Sequence, residues 1–179
     1  MRFLPPRACC NRRKKMIAQL RVDDRLIHGQ VALVWTKELD TPGIVVANDN
    51  AANNEMVQMT LKMATPTGKK LLIRNVDDAI KVFNNPKGAK MRIFALTNNV
   101  QDALKIAKNV KDIEGINVAN VGRFTKDADN AIQLSSTLMM TPEELEALKE
   151  LAKLDIPVFH QIVPNNAKTP ISSILKDAN

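Results

Sequence analysis

Short apolar runs alternate with helical patterns along most of the chain, and this alternation constrains the fold more than any other feature. The apolar runs are rich in Val, Ile and Leu, which is typical of strands that helices bury on both faces. The sequence therefore predicts an α/β fold: a single-domain open, mainly parallel β-sheet of about six to seven strands with helices on both faces. The predicted strands are 17–22, 43–48, 70–74, 91–97, 115–120, 132–140 and 157–163. The predicted helices are 29–39, 51–64, 76–83 and 101–110, one after a capping box at Thr141, and a short one after Pro170. In that box Pro142 takes the first helical position and Glu144 follows the cap by three residues.

The first 15 residues differ in composition from the rest of the chain. They hold six of the 26 Lys and Arg residues, no acid and both cysteines. The remaining residues carry 20 cations against 19 acids, so the formal net charge of +7 falls to +1 in the body. We expect residues 1–15 to be a disordered leader or a mis-assigned start, and 16–179 to form the folded domain. Without cysteines this domain suits a reducing cytosol.

Composition also disfavours several functions. No run of about 18 apolar residues occurs, so the chain is not expected to span a membrane. Nucleic-acid binding needs a basic face with aromatic platforms, whereas the body is nearly neutral and the chain has five Phe, one Trp and no Tyr. Two histidines without cysteines give no zinc spacing, so no metal is expected. The hydrolase motif GxSxG is missing as well.

The stretch DDRLIHGQ, residues 23–30, follows the first predicted strand and precedes the first predicted helix. Ligands of open parallel sheets bind at this carboxyl edge. His28 offers a neutral imidazole near neutral pH, and Arg25 offers a planar fork of donors suited to phosphate oxygens. The backbone N–H groups of Gly29, Gln30 and Val31 would point from the helix start toward an anion held on the histidine. Together these groups predict a phosphoryl site.

The acids around His28 allow two interpretations. An acid near a histidine can fix its tautomer, whereas an acid near an arginine can simply hold that arginine in place. We favour an orienting role for Asp23 and leave the role of Asp24 open. Asp49 follows the second strand at the same predicted edge and is placed to pair with Arg25 or His28.

Simpler structural roles are also open for these residues. A single histidine at a helix start is often a capping or loop residue, and Arg21 on the first strand can be an ordinary edge or surface residue. Trp35 is most simply core packing, and Met56, Met59 and Met63 are expected to fill the core rather than line a groove. His160, within a predicted strand, lacks a glycine turn or an adjacent arginine.

The segment MIAQLRVDDRLIHGQVALVW resembles the opening of the IIB components of the mannose/fructose/sorbose family of the bacterial phosphotransferase system (PTS). The family pattern R-[IV]-D-D-R-L-I-H-G-Q-V, followed shortly by Trp, is matched from Arg21 to Val31, with Trp35 in place. Similarity continues through Asp49, the ATPTG turn at 64–68, Asn-Val-Gly at 120–122 and the closing VFHQIVP. The continuation RFTKDADNA after Gly122 departs from the family's usual sequence.

The resemblance implies a cytoplasmic phosphocarrier that associates with the inner face of the membrane through its partners. His28 would accept a phosphoryl group, on Nδ1, from the phosphohistidine of a IIA partner. It would then pass the group to a sugar during import through the membrane IIC and IID components. No cofactor is implied beyond the covalent phosphohistidine. Because two macromolecular partners must reach His28 in turn, we expect it on an exposed loop of a convex rim.

Two other classes of function are alternatives to a phosphocarrier. A regulatory domain could keep the fold and use the loop to sense an anion, without turnover with a IIA partner. A Rossmann-like enzyme would bind a nucleotide at the same edge. The second is disfavoured because neither GxGxxG nor GxxxxGK[ST] is present.

Overall fold

A computed structural model describes residues 15–88, 90–123 and 130–177. The predicted leader, apart from Lys15, and most of the divergent segment after Gly122 lie outside the described residues. The strands are β1 (Ile17–Asp23), β2 (Gly43–Ala47), β3 (Lys70–Arg74), β4 (Ile93–Thr97), β5 (Ile116–Asn120), β6 (Ile132–Ser135), β7 (Leu138–Met140), β8 (Val158–His160) and β9 (Thr169–Pro170). The α-helices are α1 (Gly29–Glu38), α2 (Asp49–Asn53), α3 (Glu55–Ala64), α4 (Val76–Phe83), α5 (Val100–Asn109), α6 (Pro142–Leu151) and α7 (Ile171–Asp177), and a 3-10 turn covers Pro86–Gly88.

Seven strands form the main sheet in the order β3-β2-β4-β1-β5-β8-β9. All neighbouring pairs are parallel except β8 and β9, which run antiparallel. The predicted mainly parallel α/β sheet is therefore confirmed. Strand order reverses around β1, the central strand, and the ends of its two parallel neighbours flank the residues that follow Asp23. Such a reversal is where open α/β sheets bind ligands.

Each face of the sheet carries its own apolar cluster. On one face α1, α2 and α3 pack on side chains of β2 and β4 such as Val46 and Phe94. On the other face α4 to α7 pack on β1, β2, β4 and β5 side chains such as Val22 and Ile116. Alternate side chains of β1 thus enter the larger core. The intervening ones, Gln19, Arg21 and Asp23, are buried although they are polar.

Four helices, α2 to α5, start at asparagine caps. The side chains of Asn48, Asn54, Asn75 and Asn99 each accept backbone N–H groups at the first turn of the following helix. The capping box predicted at Thr141 is present, because Thr141 and Glu144 each accept the other's backbone N–H.

Two predicted elements differ from the structure around their polar residues. The predicted helix 51–64 is two helices, because Asn54 takes an extended conformation and caps α3 instead of continuing α2. The predicted strand 132–140 is an antiparallel hairpin, β6 and β7, which forms a separate two-stranded sheet bridged to the end of β5 at Val121. Its turn lies at Ser136 and Thr137, whose hydroxyl-bearing side chains favour turns over a continuous strand.

The prediction that Met56, Met59 and Met63 fill the core is wrong. Their side chains are 79%, 65% and 82% exposed on α3, whereas Leu61 of the same helix is 4% exposed. The sequence of α3 has apolar residues on two sides of the helix, the methionines on one and Leu61 on the other. Helical spacing alone does not show which side packs on the sheet.

Candidate active site

The loop that follows β1 is held in place by buried apolar side chains. Leu26 and Ile27 are 8% and 4% exposed and pack in the cluster under α1. Leu26 has a φ of 55°, in the left-handed region that costs an ordinary residue about 1 kcal/mol. Its N–H donates to the carbonyl of Asp23, which closes a tight turn. The turn brings the chain directly from the end of β1 to His28, the N-cap residue of α1.

Asp23 lies at the centre of the site and is fully buried. Its Oδ2 accepts hydrogen bonds from Arg21 Nη2 at 2.8 Å and Nε at 3.2 Å. The same oxygen accepts from Asn120 Nδ2 at 2.9 Å, and Oδ1 accepts from the backbone N–H of Arg25 at 3.3 Å. A buried carboxylate is tolerated when a cation and several donors surround it, and Asp23 has both. Asp23 therefore connects β1, β5 and the loop.

Arg21 lies beneath this carboxylate and is 1% exposed. Burial lowers its pKa, and the Coulombic attraction of Asp23 opposes that change. Its Nη1 donates to the carbonyl of Gln161 at 3.1 Å, and its guanidinium lies 5.5 Å from the ring centroid of Trp35. The alternative of an ordinary edge or surface role for Arg21 is wrong. A buried cation beside an aromatic face and a paired carboxylate is a structural centre of the site.

The segment after β8 closes over this network. Trp35 Nε1 donates to the carbonyl of Ile162 at 3.1 Å, and Asn117 exchanges two hydrogen bonds with the backbone of Gln161. Trp35 is buried as expected, but it also has this polar contact. The matched VFHQIVP motif therefore packs against the matched R-V-D-D-R motif.

His28 has an imidazole that is mostly covered but not bonded. Its side chain is 20% exposed, and both ring nitrogens are buried without a hydrogen-bond partner among the described residues. Nδ1 lies 4.0 Å from Asp23 Oδ1, which is too long for a hydrogen bond. His28 was expected on an exposed loop, and its own ring is mostly covered although the loop around it is open to solvent. The adjacent Arg25, Gly29 and Gln30 are exposed.

Burial lowers the pKa of His28 from its usual 6.5. The charge of Asp23 and the neighbouring backbone of Leu26 act in the opposite direction, but Arg25 and Arg21 add to the lowering. Burial is the dominant influence on the His28 pKa, and no hydrogen bond joins the ring to Asp23. The contact between the two side chains is therefore not an ion pair. His28 is therefore a neutral imidazole with an available lone pair near neutral pH.

The predicted anion donors are partly in place. The Arg25 side chain is exposed and makes no ion pair or side-chain hydrogen bond within the described residues. The N–H groups of Gly29 and Gln30 begin α1 and so have no acceptor within the helix. The N–H of Val31 instead donates to the carbonyl of His28 at 3.1 Å, so that amide is already occupied. Gly29 has a φ of 33° with open space beside its Cα, which suits close approach of a ligand.

Asp24 and Asp49 serve local structure. Asp24 Oδ2 accepts from the backbone N–H of Arg123 at 2.7 Å, and its partial burial raises its pKa. Asp49 Oδ1 accepts from the N–H of Val76 at 2.9 Å, at the start of α4. The expected pairing of Asp49 with Arg25 or His28 is therefore wrong. β4 separates β2 from β1, and the carboxylate is used by the neighbouring helix instead.

Sequence reasoning missed Asn120, Asn117 and Gln161 as parts of the site. The matched segments Asn-Val-Gly and VFHQIVP contain Asn120 and Gln161, but no spacing along the chain shows that these residues meet Asp23 and Arg21. Gly122 has a clearer signal: its φ is 88°, and a Cβ there would lie 1.9 Å from the carbonyl oxygen of Met139. That glycine is required for the hairpin to pack against the end of β5.

No group of three His, Cys, Asp or Glu side chains suited to a metal ion occurs in the described ranges. None of the helices in the described part of the chain is long and apolar enough to cross a membrane. The fold and site define a class: an open parallel α/β domain with one neutral histidine, an exposed arginine and a helix N-terminus at the switch point of the sheet.

Comparison with known proteins gives the family. Residues 17–179 match the family described as the PTS system sorbose subfamily IIB component. A probable phosphotransferase enzyme IIB component of Streptococcus pyogenes is 56% identical over 162 residues, which cover 89% of this chain and 99% of that protein. The mannose-specific EIIAB component of Escherichia coli is 32% identical over 160 residues, 89% of this chain and 48% of that longer protein.

A solved structure agrees with these sequence matches. The IIB domain of the sorbose permease from Klebsiella pneumoniae superposes with a TM-score of 0.83 at 27% identity, covering 92% of this chain and 98% of that domain. The chain belongs to the sorbose subfamily of PTS IIB components, a family of sugar phosphotransferase components.

Proposed function

We propose that this chain is a phosphocarrier in which His28 accepts a phosphoryl group from the phosphohistidine of a IIA partner and passes it to a sugar. The observation that carries the proposal is the state of His28. Its ring nitrogens have no partner among the described residues, and its lowered pKa keeps a lone pair available. It occupies the histidine position of the matched family motif.

The chemistry requires no redox step and no resident cofactor. A lone pair of the neutral His28 imidazole attacks phosphorus as the donor's N–P bond breaks. The donor imidazole keeps that electron pair and takes up a proton, and the other ring nitrogen of phosphorylated His28 gives one up. In the second step a sugar hydroxyl oxygen forms the O–P bond and the His28 N–P bond breaks. The His28 ring keeps that electron pair, and the hydroxyl proton restores its neutral imidazole. Such transfers depend mainly on positioning and on charge stabilisation of the phosphoryl oxygens.

The residues around His28 supply both requirements. Arg25 and the N–H groups of Gly29 and Gln30 donate to the phosphoryl oxygens from the exposed side of the loop. Asp23 acts as a positioning residue, because it binds the Arg25 backbone and lies beside Nδ1 without bonding to it. Since both nitrogens are buried, the imidazole turns outward for transfer, a side-chain motion that is fast relative to turnover.

The partners follow from the proposed reaction. A IIA protein or domain donates the group, and the mannose-specific relative, whose name joins IIA and IIB, supports that pairing. Membrane IIC and IID components present the sugar, so the protein would act in the cytoplasm at the inner face of the membrane. No nucleic acid takes part in this cycle.

The test is transfer of a labelled phosphoryl group. The protein is incubated with phosphoenolpyruvate, enzyme I, the phosphocarrier HPr and a IIA protein, and the expected product is an acid-labile adduct on this chain. Omission of IIA should prevent labelling. Addition of vesicles that contain IIC and IID with the cognate sugar should discharge the adduct to sugar phosphate.

Other results would support the competing functions. An anion-sensing domain would bind inorganic phosphate but form no adduct with IIA. Labelling by ATP without enzyme I would indicate a nucleotide enzyme. Either result would contradict the phosphocarrier proposal.

A further inference from the structure

The outward face of α3 carries an apolar stripe that no described part of the chain covers. Met56, Met59 and Met63 are 79%, 65% and 82% exposed, and they make up three of the seven exposed large apolar side chains in the described residues. Their spacing of three and four residues places them within about 60° of one another around the helix. Leu61, 4% exposed, points the other way into the core. The stripe is therefore continuous and directed away from the domain.

Methionine side chains are well suited to a contact of this kind. They are flexible and polarisable, so they pack on many shapes, and their burial is favourable in proportion to the apolar area removed from water. Scattered exposed apolar residues need no explanation, but three aligned on one helix form a patch. The question is which partner the patch fits.

One acidic and one basic side chain flank the stripe and indicate the kind of partner. Glu55 and Lys62 are both exposed, and neither side chain has an ion pair or hydrogen bond within the described residues. They are seven residues apart, so they lie on the same flank of the helix, about 10 Å apart along its axis. That is too far for an ion pair within one helix. Other exposed pairs, such as Lys81 with Asp78, are already formed within their own helix.

We propose that a second copy of this chain packs on the stripe, with the two α3 helices antiparallel and related by a two-fold axis near Met59. Such an axis keeps each flank on its own side while reversing the helix direction. Glu55 then meets Lys62 of the second copy, and Lys62 meets Glu55 of that copy. Met56 and Met63 likewise exchange places across the axis. The stripe is thus self-complementary in both shape and charge, as an isologous contact requires.

The size of the contact sets its strength. A helix of 10 residues is about 15 Å long, so the contact buries less than the roughly 800 Å² per partner of a standard interface. The dimer should therefore be weak and concentration-dependent, with a dissociation constant of about 1–100 μM. Neither the methionines nor the two charges contact Asp23 or His28, so this proposal does not rest on the proposed phosphoryl transfer.

The test is sedimentation of the whole protein over a range of concentrations at low ionic strength. The wild-type chain should show a reversible monomer–dimer equilibrium. E55K and K62E should each weaken it at least about tenfold, because each places like charges opposite one another twice. An equimolar mixture of the two variants, and the double variant E55K/K62E, should each dimerise again.

A second set of variants tests the apolar part. M56Q/M59Q/M63Q should be monomeric, whereas M91Q, a matched change at a methionine that is 51% exposed outside α3, should behave like the wild type. Circular dichroism of each variant checks that the fold is retained.

Three results would overturn the proposal. The first is a wild-type chain that stays monomeric up to about 1 mM, well above the expected dissociation constant. The second is dimerisation that does not change with the charge reversals or is not restored by mixing. The third is a triple methionine variant that keeps its sedimentation but slows labelling by IIA, which would assign the stripe to IIA instead.

Discussion

The two histidines of this chain differ in their hydrogen bonds, and the difference separates a reactive imidazole from a structural one. His160 lies in β8, with Nδ1 2.7 Å from the carbonyl of Val118 and Nε2 3.3 Å from Thr137 Oγ1. A carbonyl can only accept, so Nδ1 of His160 donates to it, and Nε2 is paired with the Thr137 hydroxyl. Both nitrogens are occupied, and the ring joins β5, the hairpin and β8.

His28 has the opposite arrangement. It lies at the end of a loop, its two nitrogens have no partner among the described residues, and burial lowers its pKa. An unpaired buried polar group costs about 1–3 kcal/mol, and within the described residues His28 shares this state with Gln19, Thr41 and Thr97. His28 differs from these three in having both of its ring nitrogens unpaired. The chain therefore tolerates at His28 what it avoids at His160, which is typical of functional sites.

The most direct way to break this comparison is to remove each ring in turn. His28→Ala should abolish labelling from phosphoenolpyruvate, because the accepting nitrogen is gone. His160→Ala should keep labelling within a few-fold of the wild type while lowering the free energy of unfolding by about 1–3 kcal/mol, since the Val118 carbonyl loses its donor. Labelling assays and urea unfolding measure the two effects. A labelled His28→Ala combined with an unlabelled His160→Ala would reverse the assignment.

The second comparison concerns the support beneath His28. Asp23→Ala leaves the Arg21 guanidinium buried without its counter-charge and should cost about 3–5 kcal/mol in urea unfolding. The matched control is Asp49→Ala, which removes an exposed carboxylate at a helix start and should cost only about 1 kcal/mol. Equal losses would show that the Arg21–Asp23 pair does not stabilise the site more than a surface cap does.

Much of the fold could be predicted because it depends on local patterns. Apolar runs separated by capped helices predicted the parallel sheet, and Thr141 with Pro142 and Glu144 predicted the start of α6. The hairpin was missed because IQLSSTLMM is apolar at both ends. This pattern favours one continuous strand through its turn residues, Ser136 and Thr137. The exposed methionines were misread because helical periodicity does not show which apolar side faces the sheet.

The site was predicted where its residues are contiguous and missed where they are not. His28, Arg25 and Asp23 lie in one stretch that follows a strand. Asn120 contacts Asp23 from 97 residues away, and Gln161 contacts Arg21 from 140 residues away. These pairings are fixed by strand order rather than by spacing. The burial of Arg21 was equally hidden, because a charged residue in a strand usually faces solvent.

The third comparison sets two exposed arginines of the same sheet edge against each other. Arg25→Ala should slow phosphoryl transfer about 10- to 100-fold with little effect on stability, because a donor to the developing charge is lost. Arg74→Ala is the control. It ends β3, and β2 and β4 separate it from β1, so transfer should not change. Rapid-quench measurement of labelling compares the two. Unchanged transfer in Arg25→Ala would remove Arg25 from the mechanism.

The smallest expected effect concerns pH. Burial lowers the pKa of His28 in the folded chain. Below about pH 6.5 this histidine is therefore protonated in the unfolded chain while it is still neutral in the folded one. The unfolded state then binds more protons, and the free energy of unfolding falls as the pH decreases from 6.5 toward the lowered pKa. His28→Gln has no such proton, so its stability should fall less over the same range, and comparing the two chains cancels the contribution of Asp24. Urea unfolding from pH 7.5 to 5 measures the difference, and NMR titration of the His28 ring should give a midpoint below 6.5. Parallel stability curves and a midpoint at or above 6.5 would mean that the His28 imidazole already lies in solvent. Burial of an unbonded ring would then not be what separates His28 from His160.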